Sequence, residues 1–191
     1  MDNKNNLTYI YFIRHAESDY SVKDSKARPL TEQGVKDAQE LAARFADIPV
    51  AEIYSSPYKR AVDTMTPIAD TKGMSTTIVD DLRERESDSV QTISTPELIR
   101  KQWNDFTYTL SDGENYKSVQ ERNIKALQTI IGDNKNKTIL IGTHGIALCT
   151  IIHYFRPSID EVELAYILKK MPYLLLMKFS DGEFQSMEEV M

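Results

Sequence analysis

One stretch near the start of the chain constrains the fold most, Tyr9 to Ser18, which reads Tyr-Ile-Tyr-Phe-Ile-Arg-His-Ala-Glu-Ser. Its first five residues are aromatic or β-branched, which predicts a strand buried on both faces. Arg14 and His15 then end the apolar run. In an open α/β sheet, ligands bind beyond the carboxyl ends of the strands, so a guanidinium and an imidazole there favour an oxyanion site. These residues alone leave open an alternative, in which Arg14 caps the strand and His15 is a turn residue.

Two distant segments repeat this pattern. The apolar run that begins at Thr138 ends in His144, which is one of only three histidines in the chain. A strand-like Ile53-Tyr54 is followed by a turn and then by Arg60. One arrangement explains all three segments, in which two arginines and two histidines surround a single phosphate.

Six blocks of sequence resemble the histidine phosphatase superfamily, the phosphoglycerate mutase-like enzymes. They follow the family's order between about Tyr9 and Ile152, and the first contains the family's Arg-His signature. The blocks are Arg14-His15-Ala16-Glu17-Ser18, Pro29 to Gly34, Ile53 to Pro57 with Arg60, Ala61 and Thr64, Leu82-Arg83-Glu84-Arg85, Gly113-Glu114 with Arg122, and Gly142-Thr143-His144-Gly145. The resemblance implies a phosphoglycerate mutase-like fold.

The order of the predicted elements agrees with that fold. Strands alternate with helices, which predicts a three-layer α/β/α sandwich around a mostly parallel sheet. A chain of 191 residues suits a single domain over 1–191, with a polar tail at 1–6 that is expected to fray. Helices are predicted to begin at Thr31, Ser56-Pro57, Thr95-Pro96, Ser118 and Ser158, and an Asp-Gly turn predicts a closing hairpin.

The resemblance also implies a chemistry. His15 is expected to be the nucleophile that forms a phosphohistidine, and neighbouring guanidiniums should lower its pKa and leave a nitrogen lone pair free. Arg14, Arg60 and His144 are expected to hold the phosphoryl oxygens. Glu84 would protonate the leaving alcohol and then deprotonate water. From the residues alone, Glu84 belongs to a solvated charged run, and only its match to the family's acid assigns it this role.

Three further residues are candidates for substrate binding. Gly145 follows His144 in the matching block, and Arg28 lies in a polar loop after the first strand, where a solvated charge is the alternative role. Ser21 stands where mutases of the family commonly carry Asn. The side chain that donates to the phosphate would therefore be shorter here, or this donor would be missing. Ala16 also departs from the family, which usually has Gly at this position.

We therefore predict a metal-independent phosphatase that hydrolyses phosphate monoesters. Phosphoglycerate mutase is the alternative within the family, ranked lower because the segment between Glu84 and Gly113 is short for a lid that excludes water. A catalytically silent phosphate-binding or scaffold domain is the alternative from another class. A metallohydrolase using His15, His144 and Glu84 is disfavoured, since two arginines would repel a cation.

Bulk properties exclude several other classes. A net charge of −6 argues against nucleic acid as a partner, and no apolar run is long enough to span a membrane. The single cysteine, Cys149, excludes a disulfide framework and a Cys-rich metal site. We expect no cofactor and no metal, a cytoplasmic location, and a small phosphorylated metabolite or a phosphoprotein as substrate. A homodimer is compatible with such a chain.

Overall fold

The computed structural model describes residues 6–87 and 95–190, and six strands and six helices lie within these ranges. All but Asn6 of the predicted tail therefore lies outside the described residues. The strands are β1 (Leu7–Arg14), β2 (Glu52–Ser55), β3 (Thr76–Ile78), β4 (Thr138–Thr143), β5 (Tyr173–Ser180) and β6 (Glu183–Glu189). The helices are α1 (Glu32–Phe45), α2 (Lys59–Lys72), α3 (Pro96–Asn104), α4 (Tyr116–Asp133), α5 (Gly145–Phe155) and α6 (Glu161–Lys169).

The strands form one mixed sheet in the order β3-β2-β4-β1-β5-β6. The first four are parallel to one another, whereas β5 runs antiparallel to β1 and β6 antiparallel to β5. The predicted mostly parallel sheet is confirmed. The predicted closing hairpin is also confirmed, since Asp181 and Gly182 both have positive φ, 50° and 89°, as a tight turn of this kind requires.

Helices cover both faces of the sheet and complete the predicted three layers. On one face, Ile13, Ile53 and Leu140 pack against α1 and α2. On the other face, Ile10 and Ile139 join the larger apolar core with α4, α5 and α6. Helices on both sides of the sheet bury every position of β4 from Ile139 to Thr143, which explains its continuous apolar sequence. In β1 burial alternates from Leu7 to Tyr11, and both faces are buried only from Phe12 to Arg14, so the two-sided burial predicted from Tyr9 to Ile13 holds only for the last part of the strand.

Two of the predicted helix starts are confirmed and three are displaced. Thr31 and Thr95 cap α1 and α3 by accepting hydrogen bonds from backbone N–H groups three residues later. Asn115 caps α4 in place of Ser118, and Asp160 caps α6 in place of Ser158. In both cases a nearby Asn or Asp supplies the capping oxygen that the prediction assigned to a serine.

The third displaced start concerns Ser56, which was predicted to cap α2 with Pro57 as its first residue. The helix instead begins at Lys59, after Tyr58. The Ser56 hydroxyl accepts from the Tyr58 N–H at 3.2 Å and bonds the imidazole of His144 at 2.7 Å. A contact with a residue 88 positions away thus determines where this helix starts.

The structure bears on two further predictions, one about membrane-spanning segments and one about Cys149. Within residues 6–87 and 95–190, no helix is both long and apolar enough to cross a membrane. Cys149 is buried in α5, and burial raises the pKa of its thiol, as expected for an inert core cysteine.

Candidate active site

The candidate site begins at His15, the residue that follows β1. Its backbone N–H donates to the Thr143 carbonyl at 3.0 Å, and its side chain is only 3% exposed. Nδ1 lies 2.7 Å from the carbonyl oxygen of Ala16. A carbonyl can only accept, so Nδ1 carries the proton and Nε2 presents a lone pair. Ala16 takes the family's glycine position with no left-handed backbone, since positive φ among the described non-glycine residues occurs only at Asn136 and Asp181.

Arg60 contacts that lone pair directly. It is the second residue of α2, and its Nε–H donates to His15 Nε2 at 3.0 Å while Nη1 donates to the carbonyl of Ser25 at 2.5 Å. Burial lowers the pKa of His15 well below its usual value, and the charges of Arg60 and Arg14 lower it further. The imidazole is therefore neutral near pH 7, in the direction predicted from sequence.

His144 lies against His15, with 5.3 Å between the two ring centroids. It follows β4, and its side chain is fully buried. Nε2 bonds the Ser56 hydroxyl, whereas Nδ1 has no hydrogen-bond partner within the described part of the chain. Because the Ser56 oxygen already accepts the Tyr58 N–H, its own proton is available for Nε2. This tautomer leaves a proton on Nδ1. Burial, followed by the Arg60 charge, lowers the pKa of His144 well below its usual value.

Arg14 joins the site to α6. Its Nη1 donates to the carbonyls of Ile167 at 2.7 Å and Lys170 at 2.6 Å, which lie at the end of that helix. The guanidinium lies close to Gly145, because a Cβ built on this glycine would come within 3.3 Å of Arg14 Nε and within 2.7 Å of Leu168 Cδ2. A glycine at this position thus lets the arginine and the helix approach each other.

The carboxylate of Glu84 lies at the N-terminus of α5. Its Oε2 accepts from the Ile146 N–H at 3.1 Å, and its Oε1 accepts from the Ala147 N–H at 3.0 Å. Oε1 also accepts from the N–H of Arg85 at 2.9 Å. Helix N-termini present unpaired N–H groups to anions, and α5 uses two of them to hold this carboxylate.

Arg122 of α4 fixes the loop that carries Glu84. Its guanidinium donates to the carbonyls of Asp81 at 2.8 Å, Arg83 at 2.7 Å and Glu84 at 3.2 Å. It also forms a two-pronged ion pair with Glu114, at 2.6 and 2.8 Å. Burial raises the pKa of Glu114, but the hydrogen bonds and charge of Arg122 outweigh it and hold that pKa below its usual value.

A cavity of about 240 Å³ opens onto these residues. Six of the sequence-predicted residues line it, namely Arg14, His15, Arg28, Arg60, Glu84 and Gly145. His144 is fully buried and is not among the lining residues, although its ring lies next to that of His15, which does line the cavity. Ser21 is not brought to the cavity either, since it is exposed in a turn where its N–H bonds the Asp19 carboxylate at 2.9 Å.

Several lining residues were not predicted as site residues, among them Tyr20, Ser25 and Arg85. Arg28 stacks its guanidinium 4.4 Å from the centre of the Tyr20 ring, which holds it beside the cavity. Arg85 lies in the matching block with Glu84, which is the only sequence signal that pointed towards it. Ser25 lies in a loop of polar residues where no pattern distinguishes it.

The balance of charge favours an anion. Among the residues that the structure describes, four arginines line the cavity, Arg14, Arg28, Arg60 and Arg85, together with one carboxylate, that of Glu84. Low-dielectric walls lined mostly by one sign of charge concentrate ligands of the opposite charge. Within residues 6–87 and 95–190, no three His, Cys, Asp or Glu side chains cluster where they could share a metal ion. The arrangement is suited to an oxyanion that accepts several N–H bonds.

Comparison with known proteins agrees with this class of site. A family model for the histidine phosphatase superfamily, branch 1, matches residues 10–185. The chain therefore belongs to the histidine phosphatase superfamily.

Individual relatives carry both phosphatase and mutase names. The chain is 31% identical to a metal-independent phosphoserine phosphatase of Arabidopsis thaliana, over 76% of this chain and 67% of that protein. It is also 31% identical to a 2,3-bisphosphoglycerate-dependent phosphoglycerate mutase of Thermoplasma acidophilum, over 78% of this chain and 76% of that protein. Among solved structures, YhfR of Bacillus stearothermophilus superposes with a TM-score of 0.75 at 26% identity, covering 93% of this chain and 94% of that chain.

Proposed function

We propose that the protein is a metal-independent phosphatase that hydrolyses phosphate monoesters through a phosphohistidine on His15. The observation that carries the proposal is the state of this imidazole. Nδ1 is bonded to the Ala16 carbonyl, and the pKa is lowered by burial and by two arginines, so Nε2 is an unprotonated nucleophile near neutral pH. We infer a small phosphorylated metabolite or a phosphoprotein as the substrate, since the recognisable chemistry is confined to the phosphate end.

In the first step, His15 Nε2 attacks phosphorus, and the bond between phosphorus and the leaving oxygen breaks. Arg60 Nε, which donates to Nε2 at 3.0 Å, would transfer its hydrogen bond to a phosphoryl oxygen. Arg14 and the free Nδ1–H of His144 would supply further donors to the same group. Such preorganised donors are worth roughly 3 kcal/mol each in other enzymes.

Glu84 completes the cycle in this proposal. It would give a proton to the leaving oxygen and then remove one from the water that attacks the phosphohistidine, after which Nε2 leaves as a neutral imidazole. Three backbone N–H groups hold the Glu84 carboxylate in position for both proton transfers. The proton that Glu84 gives to the leaving oxygen enters with the substrate, bound as the monoanion of the phosphate monoester.

Turnover of an aryl phosphate tests the proposal. We expect activity that survives exhaustive chelation, disappears in His15→Ala and persists in the control His153→Ala. His153 packs against Trp103 and Phe106 on a helix face away from the cavity. Acid-labile label on His15 after a rapid quench is the expected sign of the intermediate. Turnover unchanged in His15→Ala would refute the mechanism, and no turnover at all would favour the silent phosphate-binding domain.

Phosphoglycerate mutase is the second candidate, because the Thermoplasma acidophilum relative carries that name. A mutase must keep water away from the phosphohistidine while substrate and intermediate exchange. In the described part of the segment between Glu84 and Gly113, the only helix is α3, nine residues long. Incubation with 3-phosphoglycerate distinguishes the two functions. We expect phosphate release, and formation of 2-phosphoglycerate well in excess of phosphate would reverse the ranking.

A further inference from the structure

A groove of about 380 Å³ lies between α3 and α6. From α3 it is lined by Pro96, Ile99 and Arg100, and from α6 chiefly by Leu164, Ala165 and Leu168. On each helix these positions are spaced by one, three or four residues, so each helix contributes one face. Most of the lining side chains are therefore apolar, although both helices also carry charged residues.

The groove continues into the candidate active site. Ile99 and Leu168 line both the groove and the cavity that contains His15. Leu168 reaches the phosphate end, as its close approach to Gly145 shows. The wall formed by α6 is held in place by the site itself, because Arg14 donates to two carbonyls at the end of this helix. A ligand bound at His15 would therefore have one way of extending that leads between α3 and α6.

The chemistry of the two ends differs. The cavity offers guanidiniums and an imidazole to a phosphate. Most residues that line the groove are apolar, and Ile99, Leu164, Ala165 and Leu168 have no side-chain group that can hydrogen-bond a hydroxyl. A sugar in this position would lose hydration without replacement bonds, whereas an alkyl chain or an aromatic ring gains free energy as it leaves water. Arg100, Glu161 and Lys169 also line the groove. Glu161 accepts a hydrogen bond from Asn104 at 2.9 Å, and the apolar residues outnumber these three.

We propose that the groove between α3 and α6 binds the apolar part of the leaving group, so that the preferred substrates are phosphate monoesters of alcohols bearing an alkyl chain or an aromatic ring. This inference rests on the phosphatase function proposed above. It adds Ile99, Ala165 and Leu168 as residues that determine substrate specificity.

A series of n-alkyl phosphates, from methyl to octyl, tests the inference through kcat/KM. Once the chain is long enough to pass Ile99 and Leu168, each further buried CH₂ should raise kcat/KM by up to about fourfold. Ala165→Trp places an indole in the groove, so each added CH₂ should then leave kcat/KM about unchanged (a factor of about one). Val162→Trp is the matched control, because Val162 is on the same helix, 78% exposed and outside the groove lining, so the increment should persist.

The outcomes separate this inference from the function on which it rests. Turnover of methyl and aryl phosphates with no dependence on chain length would overturn the groove and leave the phosphatase proposal intact. Equal loss of the increment in both tryptophan variants would also overturn it. Failure of every phosphate monoester to turn over, with no label on His15, would instead overturn the phosphatase proposal itself.

Discussion

Acid should destabilise this protein through the two buried histidines of the candidate site. His15 and His144 are 3% and 0% exposed, and burial and nearby arginines lower both pKa values well below the usual 6.5. In the unfolded chain the same imidazoles bind protons as the pH falls below 6.5, whereas in the folded chain they stay neutral. Because the unfolded state then binds more protons, stability is full above pH 6.5 and falls as the pH is lowered towards the folded-state pKa values.

The expected loss in the free energy of unfolding depends on how many histidines stay neutral in the folded chain. If the folded imidazole stays neutral throughout, each one removes up to about 1.4 kcal/mol from the free energy of unfolding between pH 7.5 and 5.5. His15 and His144 together would then account for up to about 2.7 kcal/mol. Glu114, whose pKa is also lowered, contributes only at more acid pH, because its unfolded value is 4.5. Burial also lowers the pKa of His153. His153 is present in every variant compared below, so its contribution cancels.

Urea unfolding at pH 7.5 and 5.5 measures this loss. We expect His15→Gln to reduce the loss on acidification by up to about 1.4 kcal/mol relative to the unmodified protein, and His144→Gln to do the same. Glutamine keeps a polar side chain of similar reach but does not titrate. An equally large loss in all three proteins would refute the reasoning, since the two buried imidazoles would then contribute nothing to the linkage.

Two more predictions concern the residues around the histidines. Ser56→Ala leaves Nε2 of His144 buried without its partner, so we expect the free energy of unfolding to fall by about 1–3 kcal/mol and kcat to fall with it, measured by urea unfolding and aryl phosphate turnover. Glu114→Gln removes the charged partner of Arg122, whose side chain is 9% exposed, and should cost about 3 kcal/mol of stability in the same unfolding measurement. The control Glu121→Gln breaks only an exposed pair and should cost less than about 1 kcal/mol, so equal losses in the two variants would contradict the role given to the buried pair.

Local pattern predicted the layers of this fold well. The apolar runs of β1 and β4 are typical of strands covered on both faces, and helices do cover both faces. Alternation of strands and helices then leaves few topologies, of which the observed sheet is one. The antiparallel hairpin at the end was recognisable because tight hairpin turns need positive φ and therefore favour an Asp-Gly pair such as Asp181-Gly182.

Contacts between distant residues limited the prediction of the site. Ser56 fits a capping position by local rules, but its hydroxyl bonds His144 across the sheet. Ser21 was predicted to bind phosphate because it stands where mutases of the family carry Asn, yet the turn after Asp19 leaves it exposed, and Ser25 lines the cavity. Arg122 holds the loop of Glu84 through hydrogen bonds to backbone carbonyl oxygens. Every residue has such an oxygen, so these contacts cannot be recognised in the sequence. A cytoplasmic location and a homodimer stay predictions from sequence.

The position of β1 in the sheet has a consequence for how the protein is made. Tyr9 pairs with Thr138 on one side and with Lys178 on the other, so the strand that delivers His15 finds both neighbours far along the chain. Closing loops of such length is entropically unfavourable and slows folding. On the ribosome, the first strand to emerge must therefore wait for nearly the whole chain before the sheet can close around it. Until β4 and β5 are made, His15 has neither of the strands that flank β1 in the folded sheet.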